Sequence, residues 1–219
     1  MKYLKPLILT LLALIIATYA TSAQTFDNIN VADASTVCSI AQDSQGIMWL
    51  GTERGLYSYD GYRTIPHNTA ADGSSLATRI HSMLIFHNII YMGTERGLFV
   101  YDILKGRYAD TDGRQSRDIR AVALHGGRLW LGGAQGLFSL NLANGNVRVE
   151  NRHIQNVYSL LGTRNGLLIG TMGGLALRSD NGNTRQITIC SGNQPLVNAM
   201  LAESGSSVVW IGTEGALYR

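Results

Sequence analysis

The chain has 219 residues, 45% hydrophobic and only 15% charged, and its 18 basic side chains face 15 acidic ones. That much apolar content excludes a disordered polyelectrolyte, and so balanced a charge supplies no long-range field to hold the chain on nucleic-acid phosphates or anionic lipid. Two cysteines, Cys38 and Cys190, are too few for the disulfide framework of a small secreted domain; both read as unbridged apolar packers.

Residues 1–23 read as a signal peptide. Lys2 and Lys5 form a basic start, Leu7 to Ala20 is an apolar stretch, and Thr21 and Ala23 are small residues suited to a cut before Gln24. The stretch is shorter than the roughly 18 residues that a membrane span requires. Cleavage near Ala23 and export to the periplasm are therefore expected, with no span in the mature chain. Removing the two lysines leaves 16 basic against 15 acidic residues, so the mature charge is close to neutral.

Residues 24–219 are organised by one phrase written five times: WLGTERGLYSYD from Trp49, YMGTERGLFVYD from Tyr91, WLGGAQGLFSLN from Trp130, LIGTMGGLALRS from Leu168 and WIGTEGALYR from Trp210. The spacings of 42, 39, 38 and 42 residues fall in the range of four-stranded propeller blades. The expected fold is all-β, a β-propeller of four-stranded antiparallel blades, with about five blades at 32–66, 78–111, 118–151, 156–190 and 196–219. In the first blade, alternation and turn residues predict strands at Val37 to Gln42, Ile47 to Thr52, Leu56 to Tyr59 and Tyr62 to Ile65. Asp60-Gly61 reads as a two-residue hairpin between the last two, and Lys105-Gly106, Asn144-Gly145 and Asn181-Gly182 stand at the same phase later.

Trp49, Tyr91, Trp130 and Trp210 are expected to fill the wedge between neighbouring blades, since packing sheets need large flat side chains there. Gly51, Gly93, Gly132, Gly170 and Gly212 would let strands crowd together without a Cβ.

The stretch from Val37 to Gly61 carries V-x-S-I-x-Q-D-x-x-G-x-x-W-L-G-T-x-x-G-L-x-x-Y-D-G and closely resembles the two-component regulator propeller repeat. Later blades match less well, with Ser82-Met83-Leu84, Ala121-Val122-Ala123 and Ser159-Leu160-Leu161 in place of the S-I-x-Q-D stretch. The resemblance implies the N-terminal periplasmic part of a hybrid sensor histidine kinase of Bacteroidetes type. It also implies an oligosaccharide ligand, and either a homodimer or further C-terminal blades as partners of the array. Seven blades near 40 residues each need roughly 280 residues, and the chain stops in the third strand of its fifth blade. An incomplete part of a seven-bladed propeller is thus expected over a closed five-bladed ring whose missing strand comes from residues 26–31.

No catalytic or cofactor motif stands out. The glycine clusters at Gly51 to Gly55 and Gly170 to Gly174 lack Gly-Lys-Ser/Thr and a following helix, so they are not phosphate loops. The five histidines form no H-x-x-x-H pair, Asp110, Asp112 and Gly113 read as a turn in place of a calcium loop, and there is no G-x-S-x-G elbow. Metal and cofactors are not expected, and the chain reads as a binding segment, not an enzyme. A docking or dimerisation scaffold is the second reading, and a glycoside hydrolase or lyase assembled from carboxylates on separate blades the third. For ligand contacts, the turns carrying Glu53, Arg54, Glu95, Arg96 and Gln135 are expected to share one propeller face.

Overall fold

The computed structural model describes residues 36–70, 73–109 and 117–219. The predicted signal peptide, residues 26–31 and the turn at Asp110, Asp112 and Gly113 lie outside the described residues. All those described belong to one compact unit, Val31–Arg219.

Among the described residues every regular element is a strand. The first blade comprises β1 (Val37–Gln42), β2 (Met48–Thr52), β3 (Gly55–Tyr59) and β4 (Thr64–Pro66). The second comprises β5 (Ile80–Phe86), β6 (Ile89–Thr94), β7 (Gly97–Asp102) and β8 (Arg107–Tyr108); the third β9 (Ile119–His125), β10 (Arg128–Gly133), β11 (Gly136–Asn141) and β12 (Val147–Asn151). The fourth comprises β13 (Val157–Thr163), β14 (Gly166–Thr171), β15 (Gly174–Arg178) and β16 (Thr184–Ile187); the fifth β17 (Val197–Ala202), β18 (Val209–Thr213) and β19 (Leu217–Tyr218). Each sheet is an antiparallel meander in chain order, and the first strand of each blade packs on the first strand of the next, the propeller arrangement.

The first blade differs from the sequence expectation at its last hairpin. Asp60 Oδ1 accepts the backbone N–H of both Tyr62 and Arg63 at 2.9 Å, so the side chain holds a wider Asx turn and β4 begins at Thr64. Asp43 explains why this blade carries the fullest motif. One carboxylate oxygen accepts from Gln45 N and Ile47 N, and the other takes the Trp49 indole N–H at 2.9 Å, tying the first turn to the wedge residue. The threonine that ends four of the second strands has a similar role. Thr52, Thr94, Thr171 and Thr213 each donate Oγ1 to the carbonyl three residues on, at 2.8–3.0 Å, which satisfies the hydroxyl and shapes the next turn.

The core is four clusters, one at each junction between successive blades. Trp49 and Trp130 are buried, while Tyr91 and Trp210 are partly so. Each junction centres on a knob and a socket. A Cβ added at Gly51 would lie 2.8 Å from Ile80 Cγ2, one at Gly93 2.9 Å from Ile119 Cγ2, one at Gly132 2.8 Å from Val157 Cβ, and one at Gly170 2.7 Å from Val197 Cγ1. The glycine of one blade thus receives the β-branched side chain that opens the next.

Beside this socket, two junctions carry a polar tie at the same phase. Between the first and second blades, His67 bonds Ser58 Oγ at 2.8 Å and Tyr101 Oη at 2.9 Å, with its ring 5.0 Å from that of Trp49. Between the third and fourth, Glu150 takes the place of His67, with Ser139, Arg178 and Trp130 around it.

Burial lowers the His67 pKa from its ordinary 6.5, so the fold favours the neutral ring, whose nitrogens can serve one as donor and one as acceptor. His81 is shifted the same way, chiefly by burial, with Asp118 and Glu95 opposing. For a histidine whose folded pKa is depressed, the stabilisation is present above the unfolded value and lost as pH falls through the folded one. Melting temperature should therefore hold above about pH 6.5 and drop as the solution is acidified below it. Thermal melts of the chain and of His67→Gln between pH 7.5 and 5 check this: the variant's slope should be shallower, and an equal slope would remove His67 from the account.

Candidate functional site

The pairing register slips once at the start of each blade: between Val37 and Ser39, Ile80 and Ser82, Val157 and Ser159, Val197 and Ala199, and opposite Gly132 and Gly133 in the third blade. The residue left out of the ladder is Cys38, His81, Arg120, Tyr158 or Asn198. A bulge re-aims the side chain it carries. The flanking positions repeat, because they build the socket, but the bulged one is different in all five blades.

Three of the five, His81, Arg120 and Tyr158, line one cavity of about 490 Å³ together with Arg79, Glu95 and Asp118. Polar contacts cross it from blade to blade. Asp118 Oδ2 accepts from Arg120 Nε at 2.7 Å, and its Oδ1 lies 3.1 Å from His81 Nε2 without the alignment of a hydrogen bond. The Arg120 guanidinium carbon stands 5.0 Å from the Tyr158 ring centroid, and Arg79 pairs with Glu53 of the first blade at 3.5 Å. Two guanidinium groups and two carboxylates leave the lining close to neutral while presenting alternating donors and acceptors. Such a lining suits a hydroxyl-rich neutral molecule better than an isolated ion.

The turn residues named from the sequence are distributed unevenly. Glu95 lines the cavity, and Glu53 reaches its edge through Arg79. Arg54 and Arg96 each give their backbone N–H to the preceding threonine hydroxyl, and the Arg96 guanidinium carbon lies 5.9 Å from the Phe99 ring. Gln135 is exposed in its turn and is not part of the lining. Sequence reasoning missed His81, Asp118, Arg120 and Tyr158 because it followed what repeats. The available signal was the opposite one, a phase at which five otherwise similar blades disagree.

The family model for the two component regulator propeller matches residues 33–54, the start of the first blade. A crystal structure described as the extracellular domain of the hybrid two component system BT4673 from B. thetaiotaomicron is similar with TM-score 0.78 and 36% identity, over 89% of this chain and 28% of that one. The corresponding domain of BT3049 from the same organism gives TM-score 0.70 at 23% identity, over 87% of this chain and 30% of that one, a likeness of fold. The computationally designed Ika8 protein shares the fold at TM-score 0.59 and 18% identity, over 82% of this chain and 56% of that one. No curated protein matches. The chain spans little more than a quarter of the two receptor domains it resembles. The first blade thus carries a two component regulator propeller repeat, and over 89% of its length the chain is similar to the extracellular domain of a hybrid two component system.

Proposed function

We propose that this chain is a periplasmic ligand-sensing segment of a two-component receptor, and that it binds oligosaccharides without transforming them. The observation that carries the reading is the 36% identity, sustained over 89% of this chain, with the extracellular domain of a hybrid two component system. The cavity is consistent with it, since its donors and acceptors suit sugar hydroxyls and come from the second to fourth blades. A ligand held there touches three blades, so it can favour one arrangement of them by as much as its affinity differs between arrangements. The kinase half belongs to other parts of such a receptor, and a signal peptide at residues 1–23 would deliver the segment to the periplasm.

Thermal melts in the presence of a panel of neutral and acidic oligosaccharides, with product analysis of the same mixtures, test the reading. At least one sugar should raise the melting temperature, by an amount equivalent to about 2.7 kcal/mol at a hundredfold excess over Kd, and all should be recovered intact. Turnover of any of them would convert the segment to an enzyme. A flat response to the whole panel, with retention of a protein partner, would make it a docking scaffold.

A further inference from the structure

Four of the five blades carry an aromatic ring at one fixed phase of the third strand, Tyr57, Phe99, Phe138 and Tyr218, and in the second and third blades it joins the core cluster shared with the preceding blade. Where these rings pack, they are covered. Phe138 is 3% exposed beneath the Arg117 guanidinium at 4.8 Å, and Phe99 meets the Tyr108 ring edge-on at 6.1 Å. The fourth blade has Ala176 at this phase, 5% exposed and packed in the core cluster with Trp130, and a cavity of about 480 Å³ opens beside it. Its lining includes Gln155, Asn156, Met172, Arg185 and Gln186 around Ala176. Gln155 stands at the phase of Arg117, the residue that covers Phe138 one blade earlier.

A methyl group in place of a ring in a close-packed repeat leaves space that the scaffold does not use, and breaks in a repeat are where function is expected. The chemistry around the gap narrows the occupant. Two glutamines, an asparagine, two threonines, a histidine and one guanidinium provide hydrogen-bonding edges, Ile154, Ala176 and Met172 provide apolar surface, and no carboxylate lines the cavity. A cation has no counter-charge there, and an aromatic hydrocarbon would make no use of the hydrogen-bonding edges. A six-membered ring with apolar faces and hydroxyls at its rim meets both requirements.

We propose that the cleft at Ala176 binds one pyranose ring of an oligosaccharide, in the place that the phenyl ring of Phe138 occupies in the third blade. The site rests on the saccharide reading above and deepens it. It also neighbours the cavity on the inner strands: Asn156 lines the cleft and Tyr158, two residues on, lines that cavity, so one extended ligand can touch both.

The test is to titrate the isotope-labelled chain with maltotriose, cellotriose, xylotriose and mannotriose, and to map the amide shifts. At least one of the four should move Gln155, Asn156, Met172 and Gln186. Ala176→Phe, which restores the residue the repeat carries elsewhere, should weaken that sugar about tenfold or more while leaving the melting temperature equal or higher. Gln155→Ala with Gln186→Ala, both on exposed side chains, should weaken it similarly and decides the matter if Ala176→Phe fails to fold. Shifts confined to other surfaces, or undiminished binding by the variants, would overturn the cleft and leave the sensing reading standing. No shift anywhere with any of the four sugars would overturn the cleft, and a flat response to the wider panel as well would overturn the sensing reading with it.

Discussion

Glu150→Ala should destabilise the chain by about 3 kcal/mol, the lower end of the range for breaking a buried ion pair by removing one partner. Glu150 lies in β12 with its side chain 6% exposed; Oε1 accepts from Ser139 Oγ at 2.7 Å and Oε2 from Arg178 Nη2 at 2.9 Å. Removing the carboxylate strands a guanidinium whose side chain is 16% exposed, and leaves the Ser139 hydroxyl, on a fully buried residue, without its acceptor. The loss stays at the lower end because Arg178 keeps its bond to Gly182 O at 2.7 Å and its place 5.4 Å from the Trp130 ring centroid. Urea denaturation measures it directly, and for a domain of this size the corresponding drop in Tm is roughly 6–12 °C. The first junction suggests the rescue. There the same four positions hold Trp49, Ser58, His67 and Tyr101, a neutral set doing the same work. Glu150→His combined with Arg178→Tyr should recover at least half of the stability lost by Glu150→Ala. A double variant as unstable as the single one would mean that the two junctions are not interchangeable, and that the ion pair has a role beyond joining blades.

The repeat was legible in the sequence because the same junction had to be built several times. Trp49 and Trp130 occur in one phrase because each fills the same wedge, and Gly51, Gly93, Gly132 and Gly170 because each must admit a β-branched side chain from the following blade. What the phrase itself does not carry is whatever occurs once. The partnership of Glu150 and Arg178 lies 28 residues apart on two blades and has no counterpart in the phrase. The bulges that turn out His81, Arg120 and Tyr158 leave no trace in hydrophobic alternation, because a single skipped residue looks like an irregular strand start. The start of β4 was misplaced for a local reason: the Asp60 side chain competes for the backbone N–H groups that a two-residue hairpin would have left to the ladder. Ala176 was visible all along as the fourth member of a column that otherwise reads Tyr, Phe, Phe, Tyr. Its meaning required knowing that this column faces the preceding blade.

The knob-and-socket account makes a prediction whose sign changes along the chain. At Gly132 an added methyl would meet Val157 Cγ1 at overlap distance, Val157 Cβ at 2.8 Å and Leu160 Cδ1 at 3.3 Å. Val157 is fully buried on a strand that is itself packed from both sides, so it cannot retreat, and Gly132→Ala should cost about 2–3 kcal/mol as overpacking. At Gly212 the same methyl would find only Ala199, at 3.7 Å, which is ordinary van der Waals contact within its own blade. Here the remaining effect is on the unfolded chain, which alanine restricts, so Gly212→Ala should be neutral or stabilising by up to about 1 kcal/mol. The exposures at the two ends agree: Leu201 and Leu217 of the fifth blade are each 66% exposed, and Val37, the counterpart of the Val157 knob in the first blade, is 41% exposed. Parallel urea curves for the two alanine variants would settle whether the recurring glycine is a receptor for the next blade or a property of its own strand. If both lost the same stability, the glycine would be serving strand geometry, and the explanation of the repeat given by Ile80, Ile119, Val157 and Val197 would fall. The same pair of variants also reads out what lies beyond the fifth blade: in any assembly where a further blade seats a β-branched residue on Gly212, Gly212→Ala should turn from harmless to as damaging as Gly132→Ala.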